Sequence, residues 1–138
     1  MVFGINHLKH KAEQFAEEKH KRLEAALGPP SKTMDASEYA QELVYLVSKT
    51  IESHLGLLPV PGKRREFKAM QMITRTVGGD AGGAGAAGTM YYIKCTAPVK
   101  EWPWIFVKIH EPPTVTTVSQ VQFEGMKKMD QEYKLVTF

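Results

Sequence analysis

The residues able to do chemistry in this chain are few, and their spacing is poor for doing it. There is one cysteine, and there are five histidines. Cys95 falls in an alternating pattern beside Ile93, where a small buried hydrophobe is the expected role. A nucleophilic cysteine needs a histidine poised beside it, and no histidine is recognisably placed for that. His7, His10 and His20 lack further ligand-type residues at a spacing that closes a metal site, so neither a metal nor another cofactor is expected. Residues 78–88, GGDAGGAGAAG, have the glycine density of a phosphate-cradling loop. They lack the Lys-Ser/Thr pair and the helix that such a loop opens. No reaction is legible, and the expectation is a protein that binds and is not an enzyme.

Composition narrows the partners. A chain of 138 residues is expected to be one domain with room for an appendage. Its net charge of +3 is too mild to point to nucleic acid, whose binders concentrate Lys and Arg on one face. The short run Lys63-Arg64-Arg65 follows Pro61-Gly62 and reads as a solvated turn. A single cysteine rules out an internal disulfide framework. Residues 1–8 lack the apolar core of a secretory signal, and no stretch approaches membrane-spanning length. A cytoplasmic protein without nucleic-acid or membrane partners is expected.

The elements divide into three groups. Residues 5–27 are rich in Lys, Glu, Ala and His, with Leu8, Ala12, Phe15, Leu23 and Leu27 on one narrow stripe. The pattern predicts a charged helix that Gly28-Pro29-Pro30 ends. A second helix has the broad apolar face Ala36, Tyr39, Ala40, Leu43, Val44, Val47, Ile51 and Leu55. Thr33, Asp35 and Ser37 compete to cap its start, and Asp35 with Glu38 resembles a capping box. Gly56 and the prolines beyond stop it. Everything after Arg65 is strand-like: Phe67, Ala69 and the methionines; Tyr91, Ile93 and Cys95; Ile105, Val107 and Ile109; Val118 or Val121 to Phe123; and 135–138. Alternation predicts one buried and one wet face. The outcome is an α+β domain in which an antiparallel meander packs on one helix.

Several of these segments resemble the stefins, the cytoplasmic branch of the cystatin family of cysteine-protease inhibitors. Gly88-Thr89-Met90-Tyr91-Tyr92-Ile93-Lys94 matches the family's strand after the first hairpin turn. The turn, Q-x-V-x-G in the family, can be matched as Arg75-Thr76-Val77-Gly78-Gly79, with Arg for the glutamine, or as Ala84-Gly85-Ala86-Ala87-Gly88. Gly28-Pro29-Pro30-Ser31 resembles the family's G-x-P-S start, although Gly28 reads equally well as a helix cap. Tyr133-Lys134-Leu135-Val136-Thr137-Phe138 is similar to the terminus D-E-L-T-x-F. Trp102-Pro103-Trp104 lies at the opposite end of its strand from the second turn. It is expected to close that end of the sheet with both indoles over apolar surface.

The resemblance implies a cystatin-like sheet wrapped around one central helix over residues 28–138, with residues 1–27 as an added helical extension. It implies reversible, non-covalent inhibition of papain-like cysteine proteases of the cathepsin type. A trunk and two hairpin turns would fill the cleft, with Gly28, Pro29, Arg75, Thr76, Val77, Gly78, Gly79, Gly88, Glu111, Pro112 and Pro113 as protease contacts. The alternative is a non-inhibitory interaction module of the same fold that acts through the added helix.

The Gly/Ala segment bears on affinity. Lengthening a loop costs folding little, roughly 0.6 kcal/mol per doubling. Fixing a backbone residue in a cleft costs about 1–2 kcal/mol. If three such residues must be newly fixed, affinity falls on the order of a thousandfold. Weak inhibition is expected unless the insertion loops clear of the contact. The long turn also disfavours domain swapping, so a monomer is expected. Chains beginning at Met1 and at Gly28 should therefore each sediment with the mass of a monomer; a dimer mass for the longer chain alone would assign self-association to the added helix.

Overall fold

The computed structural model describes residues 27–58, 60–62, 65–78, 88–112 and 121–138. Residues 5–26 of the predicted helix, most of the Gly/Ala segment, Lys63, Arg64 and Val118 lie outside them; Leu27, expected to end that helix, pairs with Val77 as extended chain.

A short strand β1 (Met34–Asp35) leads into helices α1 (Glu38–Leu46) and α2 (Ser48–His54). Four longer strands follow: β2 (Lys68–Val77), β3 (Gly88–Thr96), β4 (Trp104–Glu111) and β5 (Gln122–Met129). They form one five-stranded sheet in the order β1-β2-β3-β4-β5, with each pair antiparallel. The chain is thus α+β.

The start of α1 resolves the competition among caps. Ser37 is extended, and its hydroxyl accepts the Ala40 amide at 3.1 Å. Asp35 is committed to β1, opposite Gln71, and cannot also cap. The one long helix expected here is two, divided at Val47, where φ is −98° and ψ 9°. Val47, Ser48, Thr50 and Ile51, four of the five residues here, are weak helix formers, and a helix gives way most cheaply at such a place. Hydrogen bonds still meet at the division, from Val47 N to Leu43 O at 3.2 Å and from Ile51 N to Val47 O at 3.0 Å. Gly56 ends α2 with a φ of 71°, as its position after the apolar face predicts.

The apolar stripe of the helices, Ala40, Leu43, Val44, Val47 and Ile51, packs on Phe67, Ile93, Cys95, Ile105, Val107 and Ile109 of the sheet's front face. Gln41 reinforces this contact by bonding the start of β2 twice, to Phe67 O at 2.9 Å and from Ala69 N at 2.8 Å.

The other face is not wet, which corrects the simple reading of alternation. Ile73, Val77, Met90, Tyr92 and Phe106 form a second cluster there, covered by Leu135 with Phe138 and Leu27 against it. The residues expected to make a last strand form none. They cross the back of the sheet as a strap, with the Phe138 ring edge-on to Tyr92 at 5.7 Å. Register shifts interrupt the alternation at two places, one in the β2–β3 ladder and one in the β4–β5 ladder. A register shift between Ala69 and Gln71 leaves Met70 as an extra residue, so front-facing positions change from odd to even along β2.

Leu135 is 1% exposed although it belongs to no strand. Leu135→Ala should therefore cost about 2–5 kcal/mol in urea unfolding, as for any buried leucine. A loss near zero would mean that the strap does not belong to the core.

Candidate functional site

The antiparallel order fixes where the turns fall. β2 ends and β3 begins at one end of the sheet, where Val77 pairs with Gly88. β4 ends at that same end, where Glu111 pairs with Thr89. The segment before β1 arrives there too, because it runs antiparallel along β2. Leu27 bridges to Val77, Gly28 N bonds Thr76 O at 2.8 Å, and Ser31 N bonds Thr74 O at 2.9 Å. One sheet end therefore gathers Gly28, Pro29, Arg75, Thr76, Val77, Gly78, Gly88, Glu111 and Pro112. Gly79 and Pro113 lie outside the described residues.

These residues do different jobs. Gly28 lies so close to β2 that a Cβ there would meet the Thr76 hydroxyl at 2.6 Å. Arg75, in the place of the expected glutamine, donates from Nε to the Gly28 carbonyl at 2.6 Å and ties the incoming segment to β2. Val77 is only 6% exposed and packs in the back cluster, so its side chain is not offered at the sheet end. Pro29, Thr76 and Gly78 are exposed. Gly88 has a φ of 121°, and a Cβ on it would fall inside the Glu111 carbonyl oxygen. The backbones bounding the two turns touch at this point, and a glycine is needed for them to do so.

Sequence reasoning missed the aromatic pair beside this contact. Tyr39, from the first turn of α1, donates its hydroxyl to Glu111 Oε2 and sets its ring edge-on to Tyr91 at 6.2 Å. The one signal was a tyrosine at the margin of an apolar stripe, where its hydroxyl must find a partner. Burial pushes the Glu111 carboxyl above its ordinary value. The hydroxyl bond acts the other way, since it favours the carboxylate.

The side chains considered for chemistry are not brought together. Cys95 is fully buried on the front face, towards the opposite end of the sheet, and burial pushes its thiol far above the ordinary range. A thiol held protonated in this way is a poor nucleophile. His110 faces the back cluster, with Nδ1 3.5 Å from Gln122 Oε1, while the His54 ring lies 4.7 Å from that of Phe123. Among the described residues no group of His, Cys, Asp and Glu could hold a metal. His7, His10 and His20 lie outside them.

At the far end, Ala97 N bonds Pro103 O at 2.9 Å and closes the β3–β4 turn. The indoles there do not simply cover apolar surface. Lys94 Nζ stands 4.9 Å from the Trp104 ring and Lys128 Nζ 5.5 Å from that of Trp102, so each ring faces a cation.

Neither a protein-family model nor a curated protein matches this chain. Among the described residues, no helix is long and apolar enough to cross a membrane.

The two glycines of the site should respond differently to substitution. Gly88→Ala places a side chain at positive φ against a backbone carbonyl and should cost roughly 1–3 kcal/mol or more. Gly28→Ala meets a threonine hydroxyl that can rotate away, and should cost clearly less. Equal losses in urea unfolding would contradict the close approach at Gly88.

Proposed function

We propose that this chain is a stefin-type cystatin, a reversible and non-covalent inhibitor of papain-like cysteine proteases. The observation that carries this reading is the meeting of three features at one sheet end: the Gly28-Pro29 segment, the boundary of the first hairpin turn at Val77 and Gly88, and the start of the second turn at Glu111-Pro112. Their lateral order matches what the family resemblance implies for a trunk and two turns. The antiparallel meander against helices supports the same reading.

The mechanism is occlusion. Gly28 brings its backbone close to β2, and Pro29 fixes the chain's course beside it. Thr76, Gly78 and Gly79 lead into the first turn, and Pro112 and Pro113 stiffen the second. Inserted together, these segments fill a groove beside the protease's catalytic cysteine without forming a bond to it. Arg75 acts from within by tying Gly28 to β2. The partner is a cathepsin-type protease and the inhibitor acts as a monomer. The added Gly/Ala residues make binding weak, because a wedge binds tightly only when it is rigid before docking.

Titration of papain tests this directly. Activity should fall at micromolar protein, and deletion of residues 80–87 should lower the inhibition constant. Unchanged papain activity at that concentration would sink the reading and favour an interaction module acting through residues 1–27. Weaker inhibition after the deletion would show that the insertion contributes contacts of its own.

A further inference from the structure

Tyr39 and Glu111 join three separate elements of the molecule. Tyr39 belongs to the helix layer, Glu111 ends β4, and the Glu111 carbonyl lies against the site where a Gly88 side chain would be. Glu111 is also the register partner of Thr89, the second residue of β3. Tyr91, two residues further along β3, receives the Tyr39 ring edge-on. The side chain and the backbone of one residue thus link the helix to the ends of both turns.

We propose that Tyr39 and Glu111 form a brace that holds the end of β4 to the start of β3 and to the helix layer, where both turns begin or end. Tyr39 is thus a positioning residue for protease binding, outside the contact surface itself. The inference rests on the inhibitor reading for its consequence, and on the Tyr39–Glu111 bond for its structural content. A hydroxyl-to-carboxylate bond is among the stronger neutral-to-charged pairs. Without it, the end of β4 is held through the sheet alone, and part of the ordering of the second turn falls to the docking step.

A double-mutant cycle separates this role from a merely structural one. Tyr39→Phe and Glu111→Gln should each raise the inhibition constant against papain about tenfold. The double variant should lose little more than either single one, since both remove the same bond. The loss should fall on the association rate, because fewer molecules present both turns in the docking geometry. Additive losses, unchanged inhibition, or a loss that merely tracks the fraction unfolded in a thermal melt would overturn the brace. Backbone 15N order parameters at Thr89 and Glu111 give a readout that needs no protease, and they should fall in Tyr39→Phe. If the unmodified protein leaves papain untouched, the inhibitor reading fails. The brace is then judged on those order parameters, and unchanged values overturn it.

Discussion

The constraint from which the rest follows is that the two middle strands are buried on both faces. Along β3, Met90, Tyr92, Ile93, Lys94 and Cys95 are all nearly inaccessible, and along β4 every residue from Ile105 to His110 is. A pair of strands in this condition needs two covers. The helices supply one, through Leu43, Val44 and Ile51; the strap ending in Phe138 supplies the other, through Leu135. At the edge beyond β2 the segment 27–36 takes up backbone groups of Met70, Thr74 and Thr76. With both faces covered and that edge lined, the ends of the sheet are where its turns can meet a partner.

Burial of two lysines on the back face follows from the same constraint. Lys94 and Lys108 are each 4% exposed, yet alternation would count them as solvent-facing. Their aliphatic stems cover apolar surface, and their ammonium groups lie over rings: Lys94 over Trp104, Lys108 over Tyr92. Lys94 also reaches Glu132 at 2.8 Å, which ties the start of the strap to the sheet. The glutamate side of that pair is 61% exposed, so water weakens the attraction, and the pair steers the strap more than it holds it. The holding is done by Leu135 and by the Tyr92–Phe138 ring contact.

How much of this was legible depended on whether a feature was local. Alternation located β2, β3 and β4, and the glycine after the helix marked its end, because period and punctuation are properties of the chain alone. The phase change at Met70 was not legible, since a bulge is decided between two strands and leaves no mark in one of them. Nor was the two-sided burial, because a lysine whose stem is covered is written with the same letter as one in water. Asp35 and Ser37 were equal candidates for the cap until β1 took Asp35 into pairing. Residues 135–138 have the composition of a strand, but they find side-chain contacts with the back cluster and no ladder. At the site, glycine and proline positions were legible. The Tyr39 and Arg75 bonds were not, because each joins residues far apart in sequence.

Convergence at one sheet end follows almost entirely from topology. In an antiparallel meander alternate connections share an end, so the turns after β2 and after β4 must be neighbours. A segment antiparallel to β2 must begin where β2 finishes. Any chain with this strand order would place three segments together. Topology does not decide whether they form one rigid surface or three independent ones. That is settled by interactions a meander does not require: a glycine at positive φ that admits the Glu111 carbonyl, a tyrosine hydroxyl on the Glu111 side chain, and a guanidinium on the Gly28 carbonyl. Each spends a side chain, or the lack of one, on holding one segment to the next. These contacts fall together at the sheet end where the three segments meet.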